Sequence, residues 1–295
     1  MIEMPYPGMR SMRFNAYLPP KKRTYTKGTN FMKRNILFIK KTIALLVTGA
    51  VFFCLFLPFL AINAHAATFD TIASYTTYYN AEETSRSQNI AIAAELIDGI
   101  TVQPFGEFSF NQTVGRRTKD AGFRQAKIIV NGEYVLGVGG GVCQVSTTLY
   151  NAALKSGLTV TEFHPHSLQV GYVAPSRDAM VSTQSDLCFI NPHPFPVRLI
   201  AKAANGSIRV SFLGERDGYR YEIVTHVLEE VPPPAPIVKE GEEEKILRSP
   251  KNGVKSEAYL ERYYGEKLVM RKRLRLDSYR PIQGIIVKKI ANTPE

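Results

Sequence analysis

Apolar and polar positions change regime several times along the chain. Residues 1–41 are polar and basic, show no apolar period and are expected to be disordered. Residues 42–62 are rich in Ile, Leu, Val and Phe and carry no charge, long enough to span a bilayer. Beyond residue 66 the pattern is that of a folded protein. Ile90, Ala91, Ala94 and Ile97 share a helical face and predict a helix over 87–97, capped by Ser87 and ended by Gly99. Leu149, Ala152, Ala153 and Leu154 predict a second helix that starts near Cys143 and stops at Gly157.

Most of the remainder reads as short strands. Strand-like runs are expected at 74–80, 159–163, 181–190, 197–201, 207–213 and 221–227, and a turn with a short strand at 102–111. Residues 127–130 and 133–136 flank Asn131-Gly132, a hairpin signal. Helices and strands mix without a repeating βαβ pattern, so the fold class is α+β, a mixed-sheet domain with a few helices. Residues 231–236 are proline-rich and read as a stiff linker. Strands expected within 255–290, with a turn at Tyr264-Gly265, make a small all-β module. The expected organisation is a basic N-terminal segment over 1–41, a signal peptide or signal-anchor helix over 42–66, a main domain over 67–215, and a linker with a β module over 216–295.

The 295-residue chain has a net charge of +11, but residues 1–66 hold ten Lys/Arg against one Glu. The rest is close to neutral, and no basic stripe is interleaved with aromatics, which argues against nucleic-acid binding. Lys40-Lys41 ahead of the apolar run place the N-terminal side in the cytoplasm and everything after Asn63 outside. The protein is therefore expected to be exported. Ala64-His65-Ala66 fits a cleavage site, so the apolar helix is either removed or kept as a membrane anchor. Met32 opens a complete secretory signal and competes with Met1 as the start.

The chemistry gathers around Gly139, Gly140, Gly141, Val142 and Cys143. At or just before a helix N-terminus, Cys143 would meet free N–H groups and the positive end of the helix dipole, which favour a thiolate. The plain alternative is a small buried cysteine in a tight turn. A nucleophile needs a base and a group that orients it. His164 and His166 alternate across a strand end, so only one of them can face Cys143. Asp178 is a candidate orienter, and Arg177 or Arg116 a candidate for holding a substrate carboxylate. His193, between prolines, reads as structural. A Cys143–Cys188 disulfide is the rival fate of the thiol outside the membrane. A metal site from Cys143, His164 and His166 lacks a fourth ligand near in sequence, and no metal or cofactor is expected.

Several of these residues also form recognisable motifs. From Tyr75 to about Ala201 the chain resembles the VanW domain family, named for an accessory protein of vancomycin-resistance clusters. The resemblance rests on Tyr75-Thr76-Thr77-Tyr78-Tyr79-Asn80, Arg86 with Asn89-Ile90, Phe108-Ser109-Phe110-Asn111 and Gly115-Arg116-Arg117-Thr118. It continues through Gly139 to Asn151, His166-Ser167 and Arg177-Asp178-Ala179. Ser176 departs from the glycine usual before the Asp-Ala pair, and Cys188 matches no motif position. The stretch from about Tyr221 to Ile290 is similar to a degenerate G5-like tail, on Pro232-Pro233-Pro234, Asn252-Gly253 and Tyr279-Arg280-Pro281.

The resemblance implies a cysteine L,D-transpeptidase that cross-links peptidoglycan stem peptides. It implies Cys143 as nucleophile, favours His166 over His164 as base, and keeps Asp178 as its orienter. Gly140, Gly141, Gln144, Ser146 and Ser167 join Arg116 and Arg177 as expected substrate-binding positions, with N–H groups around Gly141 to Cys143 as oxyanion donors. The alternative from another class is a non-catalytic module that binds peptidoglycan or a glycopeptide.

Overall fold

A computed structural model describes residues 70–289 apart from Asn131, all within one compact unit that spans residues 66–295. The apolar stretch at 42–62 and the cleavage and start-site expectations lie outside the described residues. Among the described residues, no helix is long and apolar enough to cross a membrane.

The architecture is mixed α+β and rich in strands. A four-stranded antiparallel sheet has the order β1 (Asp70–Tyr78), β9 (Ser207–Gly214), β8 (Val197–Ala204), β2 (Thr101–Val102). Strands β8 and β9 meet at Asn205-Gly206, both at positive φ (50° and 71°), the backbone that a two-residue hairpin turn demands. Alternation along β9 buries Ile208, Val210 and Phe212. Helix α1 (Thr84–Ile97) lies against β8, and helix α3 (Val142–Lys155) against β1 and β9. Short helix α2 (Phe110–Val114) follows β3 (Glu107–Ser109). That strand pairs with β7 (Cys188–Ile190), which also pairs with β6 (Thr159–Glu162). The expected hairpin is β4 (Gln125–Val130) with β5 (Glu133–Val138), joined through Gly132 at φ +83°.

Helix α3 is central. Twelve of its 14 residues are buried, and Cys143 and Lys155 are the partly exposed remainder. A helix buried all round must satisfy its polar side chains internally. Thr148 Oγ1 pairs with Thr77 Oγ1 at 2.8 Å, and Asn151 Nδ2 donates to the Arg177 carbonyl at 2.7 Å. Ser146 Oγ donates to the Ala179 carbonyl at 2.6 Å, and Thr147 Oγ1 accepts from the Ala179 N–H at 2.9 Å. These bonds lash residues 177–181 along the helix and bring that segment to the N-terminal end of α3.

Beyond the main domain, β10 (Arg220–Val231), β13 (Gly253–Tyr264) and β14 (Lys267–Tyr279) form one antiparallel sheet. A second comprises β11 (Ile237–Gly241), β15 (Ile285–Lys289) and β12 (Lys245–Arg248). Ile223 of β10 and Ala258 of β13 belong to the same apolar core as α1, α3 and the four-stranded sheet. The proline run joins β10 to β11, two strands of the C-terminal part.

Two local expectations differ from the structure. The strand expected at 181–190 is confined to β7. Residues 182–185 instead turn, with the Ser182 N–H bonded to the Ser185 carbonyl. Asn111 Nδ2 donates to the Ser182 and Ser185 carbonyls, so side-chain bonding displaces a ladder here. Helix α1 begins at Thr84 rather than Ser87, and Ser87 Oγ donates back to the Ala81 carbonyl instead of capping.

Candidate active site

The glycine run fixes where Cys143 sits. Gly141 is the N-cap of α3 at φ +109°, a conformation open to glycine and costly for a side chain. Gly140 touches the β4 backbone so closely that a Cβ there would lie 2.6 Å from the Lys127 carbonyl oxygen. Asn89 Nδ2 of α1 holds the Gly140 carbonyl at 2.9 Å. Cys143 follows as the second residue of α3. Val142 and Gln144 donate their N–H groups to the Gly139 and Gly141 carbonyls. The Cys143 N–H between them has no backbone carbonyl partner among the described residues, as is general in a first helical turn.

His166 and Asp178 converge on this helix end. Oδ2 of Asp178 accepts from both the backbone N–H and the ring Nδ1 of His166, each at 2.7 Å. Nδ1 thus carries its proton toward Asp178, and His166 lines the same cleft as Cys143, whose thiol donates to the Val181 carbonyl at 3.4 Å. The Val181 N lies 3.5 Å from Sγ. His164 faces elsewhere, half-exposed and paired with Glu162 at 2.9 Å. The opposite orientation of the two histidines agrees with their alternation.

The charges of this group are coupled. Burial works to raise the Cys143 thiol, but the hydrogen bond and positive charge of His166, with the Val181 N–H and Arg117, hold it below the usual thiol range. Burial works to lower His166, yet Asp178 and Cys143 together push it up to about 9. Burial opposes ionisation of Asp178 as well, and His166, Arg275 and Tyr279 overcome it and hold the carboxyl below its ordinary value. Each shift favours the charged form, so a thiolate, an imidazolium and a carboxylate support one another in this group.

Cys143 opens into a cleft of about 1040 Å³. The hairpin supplies one wall through Ile128 and Tyr134, the Arg116-Arg117 loop another, and Tyr172 a third. Arg86, Arg116, Arg117 and Lys127 line it against one acid, Glu83, so the cleft favours an anionic guest.

Of the substrate-binding positions expected from sequence, Arg116, Gly140, Gly141 and Gln144 line this cleft. Gln144 is buried, and accepts from Arg86 Nη2 at 2.7 Å while donating to Thr77 Oγ1 and the Tyr78 carbonyl. Ser146, Ser167 and Arg177 are not part of the wall. Ser146 is buried on the Ala179 carbonyl. The Ser167 carbonyl accepts the Arg280 N–H. Arg177 donates Nε to Asn151 Oδ1 at 3.0 Å and lies over the Tyr75 ring. His193 is buried, with Nε2 3.1 Å from the Ser156 carbonyl.

Cys143 and Cys188 are both free thiols. Burial, with Asp186 and Glu162 beside it, pushes Cys188 up to about 12, so its thiolate is scarce. Among the described residues, no group of three or more His, Cys, Asp or Glu is arranged to hold a metal ion. Sequence reasoning missed Arg117, which donates to Asn111 Oδ1 at 2.6 Å beside its expected neighbour Arg116. It also missed Arg275 and Tyr279, which reach Asp178 from β14; Tyr279 was visible only as part of a tail motif.

A family profile described as "VanW like protein" matches residues 85–213. The uncharacterized protein YoaR of Bacillus subtilis (strain 168) is 41% identical over 179 residues, 60% of this chain and 57% of the relative. The vancomycin B-type resistance protein VanW of Enterococcus faecalis (strain ATCC 700802 / V583) is 26% identical over 110 residues, 37% of this chain and 39% of the relative. The matches therefore span about half the length of these relatives or less. The crystal structure of HP0197-G5 aligns with 24% of this chain and 96% of its own at 16% identity, with a TM-score of 0.15 that carries no argument. The family match places a VanW-like domain at residues 85–213, the stretch that holds Cys143, His166 and Asp178.

Proposed function

We propose that this protein is an exported, cell-wall-directed cysteine transpeptidase that acts on peptidoglycan stem peptides. The observation that carries the proposal is the Cys143–His166–Asp178 row at the N-terminus of α3, set in a basic cleft. A thiolate paired with an imidazolium is the activated form of a cysteine nucleophile.

In this mechanism the Cys143 thiolate attacks the carbonyl carbon of the third residue of a tetrapeptide stem. Negative charge develops on the carbonyl oxygen, and the Cys143 N–H, with amides of the preceding glycine loop, faces it. The C–N bond breaks, and the terminal D-alanine leaves with the proton from His166. An amine from a neighbouring stem then attacks the thioester. Its proton passes to His166, the C–S bond breaks, and a 3-3 cross-link forms with the thiolate restored. Arg116 on the cleft wall suits a stem carboxylate. Export through the N-terminal apolar segment, cleaved or retained as an anchor, takes the thiol to the compartment where such stems exist. The C-terminal strands are proposed to be a G5-like extension of the same enzyme.

Mass spectrometry of muropeptides incubated with the purified protein tests the proposal. Cross-linked 3-3 dimers and free D-alanine are expected from the natural protein and not from Cys143→Ala. Equal yields from both would remove Cys143 from the chemistry.

A further inference from the structure

The base and its orienter belong to the VanW-like domain, but the orienter is not held by that domain alone. The two oxygens of the Asp178 carboxylate divide their partners. Oδ2 serves His166, while Oδ1 accepts the Tyr279 hydroxyl at 2.5 Å and Arg275 Nη2 at 3.3 Å. Arg275 Nη1 also donates to the Asp178 backbone carbonyl at 2.5 Å. Both donors stand on β14, about 100 residues further along the chain.

Neither donor is free to drift. Arg275 Nε donates to Asp277 Oδ2 at 2.5 Å, and the guanidinium lies 4.9 Å from the centre of the Phe163 ring. The Tyr279 hydroxyl accepts the Ser176 N–H at 2.8 Å, and the Ser176 hydroxyl pairs with that of Ser256 on β13 at 2.8 Å. Asp178 and Tyr279 are each 1% exposed, and Arg275 6%. The result is a buried line of alternating charge through Cys143, His166, Asp178, Arg275 and Asp277. A buried ion network of this kind is seldom the most stable way to fill a core. It does fix the geometry and ionisation of the carboxylate at its centre.

We infer that the C-terminal β module is part of the catalytic machinery, with Arg275 and Tyr279 as positioning residues that hold Asp178 ionised and aimed at His166. The inference rests on the nucleophile assigned to Cys143 above. Its physical basis is charge balance. The titratable and charged groups around Asp178 are Cys143 and Tyr150 from α3, His166 and Tyr172 from the loops beside it, and Arg275, Asp277 and Tyr279 from β14. Without the guanidinium, the buried Asp178 carboxylate loses a positive charge that balances it, and burial then favours its protonation as the pH falls. A protonated Asp178 no longer favours the imidazolium, and the Cys143 thiolate loses its counter-ion. Tyr279→Phe removes one donor from the same oxygen and acts in the same direction, more weakly.

The pH profile of Cys143 alkylation by iodoacetamide tests this. It is read by peptide mapping on the full chain, for the natural protein and for Arg275→Gln, Arg275→Lys and Tyr279→Phe. The natural protein is expected to react below the ordinary thiol range. In Arg275→Gln the acidic limb should move up, with alkylation about tenfold slower or more near pH 5 and rates that converge near pH 9. Arg275→Lys should recover part of the loss, and Tyr279→Phe should move the limb less. Tyr279→Phe keeps the ring and its packing, so it reports even where the arginine variants do not fold. A low-pH limb in the natural protein that Tyr279→Phe and every folded arginine variant leave in place overturns the inference and leaves the nucleophile standing. An ordinary thiol profile in the natural protein overturns both.

Discussion

Replacing Asp178 with asparagine keeps the shape of the side chain and removes the charge that His166 faces. The asparagine oxygen can replace only one of the two carboxylate oxygens, and its NH₂ then turns toward a donor. If it faces His166, it meets both the backbone N–H and Nδ1–H that Oδ2 now accepts. The rise of His166 from 6.5 to about 9 corresponds to roughly 3 kcal/mol of preference for the imidazolium. Asp178 supplies much of that preference, and breaking a buried pair from one side costs about 3–5 kcal/mol in general. A loss of roughly 3 kcal/mol near pH 6 is therefore expected. For a unit of this size that is roughly 6–12 °C in Tm. The sign of the pH dependence follows from the direction of the shift. A histidine raised on folding contributes stability that is complete below pH 6.5 and lost as the pH rises through about 9. The deficit of Asp178→Asn should thus be largest near pH 6 and shrink by pH 10, leaving what Arg275 loses with its partner. Urea denaturation of both proteins at pH 6, 8 and 10 measures it. Iodoacetamide alkylation of Cys143 near neutral pH should slow about tenfold or more in parallel. A destabilisation that does not change with pH, with alkylation unaltered, would refute the coupling of Asp178 to His166 and Cys143.

Two further substitutions bear on the frame around the thiol. Gly140→Ala places a methyl 2.6 Å from the Lys127 carbonyl oxygen and 2.8 Å from the Ala126 carbonyl carbon, both backbone atoms. It should cost about 1–3 kcal/mol in thermal unfolding, while no change in Tm would mean that the hairpin is not seated on the loop. Cys188→Ser should leave both the alkylation rate of Cys143 and the cross-linking yield unchanged, because the thiolate of Cys188 is scarce. A gain in reactive Cys143 on removing Cys188 would instead reveal a disulfide between them in the natural protein.

The parts of the molecule that were legible in the sequence are those governed by local rules. The hairpin over 125–138 follows from alternation around Asn131-Gly132, and α3 follows from three glycines ahead of an apolar helical stripe. The proximity of His166 to Cys143 was half legible. Alternation said that one of two histidines faces inward, and only the resemblance chose between them. Residues 182–187 were misjudged because their backbone is held by Asn111 and Asp186, groups that apolar spacing does not register. Arg275 and Tyr279 were not legible as site residues. Their role arises from a sheet formed far along the chain, and composition gave Tyr279 only a place in a tail motif. Ser176, the position at which the chain departs from the resemblance, has φ 60° and is held by Tyr279 and Ser256 of the C-terminal strands.

The central claim is that Cys143 carries the acyl group. Peptide mapping by mass spectrometry after brief incubation with a tetrapeptide stem, without an acceptor amine, tests it most directly. The account predicts a thioester on Cys143 equal in mass to the stem less D-alanine, released by hydroxylamine. An adduct on another residue, or D-alanine release with Cys143 unmodified and still free to alkylate, would contradict it.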